Sequence, residues 1–183
     1  MPEKVGWCVW VTGLPGSGKS VVSRALMQLL RKQQIAVQLL SSDELRKTLT
    51  PKPTYSLEER DIVYATLVYI AKLLTENGVN VLIDATGNLR RYREDARAQM
   101  RCFIEAYLDC PVEVCMQREA TRKETYNAPK GIYSGALKAK TSTVPGVGQP
   151  YEPPLKAEVA INVELAPKAS AELILDAILG LKC

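Results

Sequence analysis

Histidine is absent from all 183 residues. The five cysteines, Cys8, Cys102, Cys110, Cys115 and Cys183, include no C-x-x-C pair. These two absences exclude the usual structural zinc cluster, which draws on imidazole nitrogens and closely spaced thiolates. The cysteine number is odd, and Cys8 and Cys102 lie in apolar runs, where buried thiols are common. All five read as reduced thiols of a cytoplasmic protein. No apolar stretch is long enough to span a bilayer and the N-terminus lacks a signal-peptide pattern, so no membrane partner is expected. Internal repeats are missing as well. The formal charge is only +4, which suits an anionic ligand without calling for nucleic acid. With 46% hydrophobic residues, the chain is expected to form one domain over 1–183 with a sizeable core.

What the chain does have is Gly13-Leu14-Pro15-Gly16-Ser17-Gly18-Lys19-Ser20, which fits G-x-x-x-x-G-K-[S/T] at every fixed position. An apolar, β-rich run, Trp7 to Thr12, precedes it, and apolar residues gather on a helical face from Val21 to Leu30. Strand, glycine turn and helix are the context this phosphate-binding loop needs. Its backbone N–H groups and the positive end of the helix dipole face phosphate oxygens. Lys19 can reach the β- and γ-phosphates, and the Ser20 hydroxyl can hold Mg²⁺. The chain is therefore expected to bind a nucleoside triphosphate, read as ATP with Mg²⁺. No N-K-x-D motif follows, which argues against a GTPase.

Downstream, the periodicity predicts a helix over Lys19–Gln33, a strand over Val37–Leu40, and a long helix opened by a capping box, Ser56 to Glu59, and ended by Gly78. A strand over Val79–Ile83 closes on Asp84, a charged helix spans Arg90–Arg101, and a strand covers Phe103–Leu108. Pro111 starts a short helix toward Arg118. From about 119 to 154 the periodicity fades among Gly, Pro, Lys and Thr, the pattern of a lid or a disordered insert. A strand over Glu158–Val163 and a helix over Ser170–Leu181 complete the chain. Strands alternating with helices predict an α/β class: a P-loop NTPase fold with a mostly parallel five-stranded sheet, helices on both faces and a lid insert.

In such folds ligands gather beyond the carboxyl ends of the strands. Asp43 falls there, with Arg46 three residues later. The carboxylate can take the proton of an acceptor hydroxyl while the guanidinium grips an anion; alternatively Asp43 only caps a helix. Asp84 ends the third strand, where it can support Mg²⁺, act as the base, or simply form a turn. Arg60 belongs either to the anion site or to a solvated helix face. Arg90, Arg91, Arg93 and Arg97 read mainly as surface charge paired with Glu94 and Asp95, the other reading being an anion channel. In the lid, Arg118, Arg122, Lys123 and Lys130 can close over the phosphates and exclude water, Arg118 first among them because of its place at a strand–helix junction. Tyr126 and Tyr133 either stack on a base or anchor the loop.

Several segments give the chain a family likeness over nearly its whole length. They are Gly13–Ser20, Tyr55-Ser56-Leu57-Glu58-Glu59-Arg60, Phe103–Leu108, Pro111–Cys115, Pro129-Lys130-Gly131-Ile132-Tyr133 and Pro150-Tyr151-Glu152-Pro153-Pro154. The chain resembles the adenylylsulfate kinases, which use ATP to phosphorylate the ribose 3′-hydroxyl of adenosine 5′-phosphosulfate. By this likeness Asp43 falls on an acid of the acceptor site, and Arg46 and Arg60 on its substrate-binding arginines. The resemblance departs on the acceptor side. Ser41-Ser42-Asp43 stands for D-G-D, Ala85 to Arg90 for F-x-S-P-Y-R, Thr143-Val144-Pro145-Gly146 for the lid's N-F-T-G, and Val63 for an asparagine. The expected function is thus phosphoryl transfer from ATP to a hydroxyl, adenosine 5′-phosphosulfate being the leading acceptor. Another metabolite, a nucleoside or a polynucleotide 5′-hydroxyl stays open, as does a non-catalytic nucleotide-binding regulator. The expected partner is a small anionic substrate and not nucleic acid, with a homodimer left open.

Overall fold

A computed structural model describes residues 5–138, 142–162 and 164–182. β1 (Cys8–Thr12) leads into α1 (Lys19–Lys32), and β2 (Gln38–Ser41) into α2 (Ser42–Leu49) and then α3 (Leu57–Glu76). β3 (Val81–Asp84) leads into α4 (Arg90–Gln99), and β4 (Phe103–Asp109) into α5 (Val112–Thr121) and α6 (Ile132–Lys138). β5 (Val159–Asn162) and α7 (Pro167–Leu179) close the chain. All strand pairings are parallel, in the order β2-β3-β1-β4-β5. Among the described residues, no helix is long and apolar enough to cross a membrane.

β1 is central, and all five of its residues are buried. The two-residue period of a strand sends Val9 and Val11 to one face and Cys8 and Trp10 to the other. The first pair packs with Leu26 and Leu30 of α1 and Ile174 and Ile178 of α7. The second packs with Tyr64 and Leu67 of α3 and Ala96 of α4. Burying each large apolar side chain stabilises by about 1.5–3 kcal/mol, so both faces of β1 are pinned before any functional group is considered.

The start of α3 differs from a reciprocal capping box. The Ser56 hydroxyl accepts the Glu59 N–H at 3.2 Å, as expected. The Glu59 carboxylate, however, accepts from the Thr54 N–H, the Thr54 hydroxyl and the Tyr55 N–H at 2.5, 2.8 and 3.2 Å. It thereby fixes the loop before the helix while also pairing with Arg46.

Three expectations are corrected. The arginines of α4 do not pair with Glu94 and Asp95. Arg93 is 1% exposed and binds Glu105 of β4 at 2.5 Å, the Gly87 carbonyl and, at 2.5 Å, the Glu152 carbonyl. Arg97 pairs with Glu158, and Arg91 with Asp61. The partners lie on other elements, beyond the reach of local charge spacing. Second, the lid is not irregular throughout: α6 forms at its centre, with Tyr133 and Ala136 buried. Seven residues are too few to establish a helical period. Third, Cys102 is disulfide-bonded, because spacing does not report which Cβ atoms meet in space. Cys8, Cys110 and Cys115 are free and buried, and Cys183 lies outside the described residues.

Replacing Arg93 with Ala should lower the unfolding free energy by about 3 kcal/mol, because Glu105 loses its buried counter-charge and keeps only the partly exposed Arg97 at 3.4 Å. Arg91→Ala should cost about 1 kcal/mol or less, its pair with Asp61 being exposed. Urea unfolding of the two variants measures the contrast, and equal losses would contradict it.

Candidate active site

β1 ends at Thr12, and the glycine loop turns the chain into α1. Gly16 has φ 80. A Cβ there would lie 2.5 Å from the Cys115 carbonyl oxygen, so only glycine lets the loop rest against the first turn of α5. Gly18, φ 104, N-caps α1 without a side chain. The helix's first N–H groups are thus left facing open space for an anion. The Lys19 ammonium folds back on the loop, donating to the Gly13 and Leu14 carbonyls at 3.1 and 2.9 Å. The Ser17 hydroxyl is buried and has no partner among the described residues. An orphaned hydroxyl in a cradle of N–H groups fits a phosphate oxygen.

Beside this loop stand both acids. β1 and β2 flank β3, so Asp84 lies in register with Val11 on one side and Ser41 on the other. The Ser20 hydroxyl stands beside the Asp84 carboxylate and favours its charged form. Burial pushes the Asp84 pKa up, Lys19 and the Ser20 hydroxyl oppose that rise, and Asp43 adds to it. Burial pulls the Lys19 pKa down, with Asp84 and then Asp43 opposing. A hydroxyl and a carboxylate sharing one site, with a second carboxylate nearby, form an oxygen set of the kind that holds Mg²⁺.

Asp43 sits half-buried in the first turn of α2, whose cap is Ser41: its hydroxyl accepts the Glu44 N–H at 3.4 Å. The reading of Asp43 as the cap itself is therefore replaced. Arg46 is buried on the same helix, paired with Glu59 and lying over the Tyr55 ring at 4.9 Å. Arg60 is equally buried, not on a solvated face. Its Nε donates to the Tyr55 carbonyl at 3.1 Å and its Nη2 to the Thr143 carbonyl at 2.6 Å.

These groups line one cavity of about 600 Å³. Its floor is the glycine loop. The sheet order puts the segments after β2 and β5 at opposite edges, four strand spacings or roughly 19 Å apart. The β2 edge carries Asp43, Arg46, Tyr55 and Arg60. The β5 edge carries Leu165 and Pro167. Arg118 reaches the loop from α5, donating to the Ser17 carbonyl at 3.3 Å. Arg122 also lines the cavity, whereas Lys123 and Lys130 are exposed and outside its wall. Tyr133 anchors the lid to the loop, its hydroxyl donating to the Pro15 carbonyl at 2.7 Å. Tyr126 lies under the Arg24 guanidinium at 4.3 Å. Leu165, Pro167 and Tyr64 were missed in the sequence, where nothing distinguishes them from ordinary core and loop residues.

A family model, adenylylsulphate kinase, matches residues 5–162. An adenylyl-sulfate kinase of Gloeothece citriformis is 36% identical over 160 residues, covering 87% of this chain and 86% of the relative. A probable adenylyl-sulfate kinase of Pyrococcus abyssi is 33% identical over 171 residues, covering 93% of each chain. In three dimensions the chain is similar to the Mycobacterium tuberculosis APS kinase CysC in complex with AMPPNP and APS. That comparison has a TM-score of 0.84 and 28% identity, covering 96% of this chain and 98% of the other.

Asp84→Asn separates the stability of the site from its chemistry. A carboxylate whose folded pKa is raised weakens the fold as pH climbs through that pKa, and the cost is fully present above it. At neutral pH the variant should therefore melt higher than the parent without ligand. It should also lose the extra affinity that magnesium gives an ATP analogue. Differential scanning fluorimetry and calorimetry, with and without magnesium, measure both; a lower melting temperature or an intact magnesium effect would contradict the assignment.

Proposed function

The chain belongs to the adenylylsulfate kinase family, and from that premise we propose that its cavity transfers the γ-phosphoryl group of ATP to the ribose 3′-hydroxyl of adenosine 5′-phosphosulfate. The single observation behind this reading is the convergence of Lys19, Ser20, Asp43, Asp84, Arg46 and Arg60 on one cavity. The two edges then take different halves of the reaction. ATP lies with its triphosphate on residues 13–20 and its base toward Leu165 and Pro167, under Arg118. The acceptor lies at the β2 edge, where Arg46 and Arg60 face its phosphosulfate.

In this reading Asp43 takes the proton of the 3′-hydroxyl as its oxygen bonds to the γ-phosphorus. The bond from that phosphorus to the β–γ bridging oxygen breaks, and ADP leaves with the electron pair. Charge spreads over the transferring group, and positioned cations stabilise it most where water is excluded. Lys19 is buried at that point and Arg118 approaches from the lid side. Mg²⁺, if held by Ser20 and Asp84, would neutralise the β- and γ-oxygens. A cytoplasmic location and a homodimer belong to the same proposal. Sedimentation at micromolar concentration reads the second directly, a single-chain mass being the contrary result.

ADP release should depend on adenosine 5′-phosphosulfate, and Asp43→Asn should lower kcat by roughly 100-fold or more, the scale of a lost general base. A coupled assay with and without acceptor tests both. Release no faster than the acceptor-free rate would remove this substrate. A background rate that Asp43→Asn leaves unchanged would favour a nucleotide-binding regulator.

A further inference from the structure

Arg60 is oriented by contacts from three separate parts of the chain. The loop ahead of α3 supplies the Tyr55 carbonyl and the lid supplies the Thr143 carbonyl. The third contact is Asn88, in the loop between β3 and α4, whose Oδ1 accepts from Arg60 Nη1 at 3.4 Å. Asn88 is 1% exposed. Its Nδ2 donates to the Pro150 carbonyl at 3.1 Å and its backbone carbonyl accepts the Glu152 N–H at 2.8 Å. One buried amide therefore has its oxygen on an arginine of the acceptor edge and its nitrogen on the limb by which the lid returns to the sheet.

That limb is strapped to the same loop along its length. Glu152 accepts the Arg90 N–H at 2.7 Å, and the Pro153 carbonyl accepts Arg90 Nε at 3.2 Å. The Tyr151 hydroxyl donates to Thr12 Oγ1 at 2.9 Å, and that hydroxyl in turn donates to the Thr86 carbonyl at 2.7 Å. Arg93 holds the Gly87 and Glu152 carbonyls together from beneath. The strap has many ties, but among the described residues only Asn88 joins it by side chain to Arg60.

We infer that Asn88 is a positioning residue, which aims the Arg60 guanidinium at the acceptor when the lid's return limb is seated on its amide nitrogen. The inference rests on the acceptor-binding role proposed for Arg60. A guanidinium has five donors in a rigid plane, so its direction decides which anion oxygens it meets. Asn88 supplies only an acceptor oxygen to that plane, and with the Tyr55 and Thr143 carbonyls each taking one more N–H, two donors are left for the ligand. Seating of the limb and binding of the acceptor are then linked: whatever grips Arg60 in this direction favours the seated limb, and the reverse holds to the same degree.

A merely structural asparagine, filling a buried loop, would affect folding and both substrates alike. The positioning role separates them. Asn88→Ala should raise the KM for adenosine 5′-phosphosulfate roughly 10-fold or more, as expected for a lost bond to a charged group, while the KM for ATP stays within about twofold. Arg60→Ala should raise the acceptor KM further. In the double variant Asn88→Ala should add nothing, because a residue that acts through Arg60 has no effect once Arg60 is gone. Asn88→Asp keeps the shape and an oxygen for Arg60 but sets an oxygen against the Pro150 carbonyl. It too should raise the acceptor KM alone, and it covers the case in which the alanine variant fails to fold. Additive effects in the double variant, a parallel rise in the ATP KM, or a parental acceptor KM in Asn88→Asp would overturn the inference and leave the function standing. An unchanged acceptor KM in Arg60→Ala would overturn the role of Arg60 itself, and with it the inference.

Discussion

A buried ammonium is the constraint that the site is built around. Lys19 sits against the carboxyl edge of the sheet, 9% exposed, with two backbone carbonyls as its hydrogen-bond partners. Carbonyl dipoles satisfy two of its three donors but do not neutralise it, and an isolated buried charge is costly. Asp84 and Asp43 oppose that cost through their fields. Asp84 suffers burial in its turn, and its balance depends on Lys19 and Ser20. None of these groups is comfortable alone. The site is held in tension that, in the proposed function, a triphosphate and Mg²⁺ would relieve by bringing the missing charges, and the fold must be rigid enough to carry it. The double-sided packing of β1 supplies the rigidity.

The arginines show the same economy in a different form. Arg46, Arg60 and Arg93 are each 6% exposed or less, and all are occupied by protein partners. Arg93 faces only protein, so its ties are structural. Arg46 and Arg60 line the cavity, so theirs are orienting. A guanidinium already held by Glu59 or by carbonyl oxygens has lost its rotamer freedom before a ligand arrives, and less entropy is then lost on binding.

How much of this was legible in the sequence follows from the range of each interaction. The glycine loop's requirements are local, involving φ angles, a following helix and a lysine at fixed spacing, so eight consecutive residues were enough to expose it. Asp43 and Asp84 were legible because the rule that places ligands beyond strand ends turns an apolar run followed by an acid into a position in space. Arg60 was ambiguous because its partners Asn88 and Thr143 are 28 and 83 residues away. Arg93 was misread because Glu105 is on a neighbouring strand, whereas Glu94 is adjacent in the chain. Lys130 stood among the lid cations by its charge and by its place in a matched lid segment, and neither says which side of a lid a residue faces. The disulfide at Cys102 was hidden for the same reason: it depends on where the chain returns, not on what surrounds the residue in sequence.

The acceptor edge shows why the departures from the family pattern need not empty the site of acids. The pattern of the resembled family carries two carboxylates at this place, and Ser41 leaves one of them without charge. Ser41 is instead spent as the cap of α2. Its register partner across the sheet is Asp84, at the end of β3 and one strand spacing away, about 4.8 Å. A carboxyl group carried on β3 rather than β2 therefore enters the same cavity beside Asp43, but from nearer the glycine loop, where it reaches the Ser20 hydroxyl. From position 41 a side chain would start one strand further from β1 and from that hydroxyl. The displaced acid is thus closer to the glycine loop than a carboxylate at position 41 would be. In the proposed reaction that would divide the labour between the two carboxylates by distance, with Asp43, on the first turn of α2 with Arg46, assigned to the incoming hydroxyl.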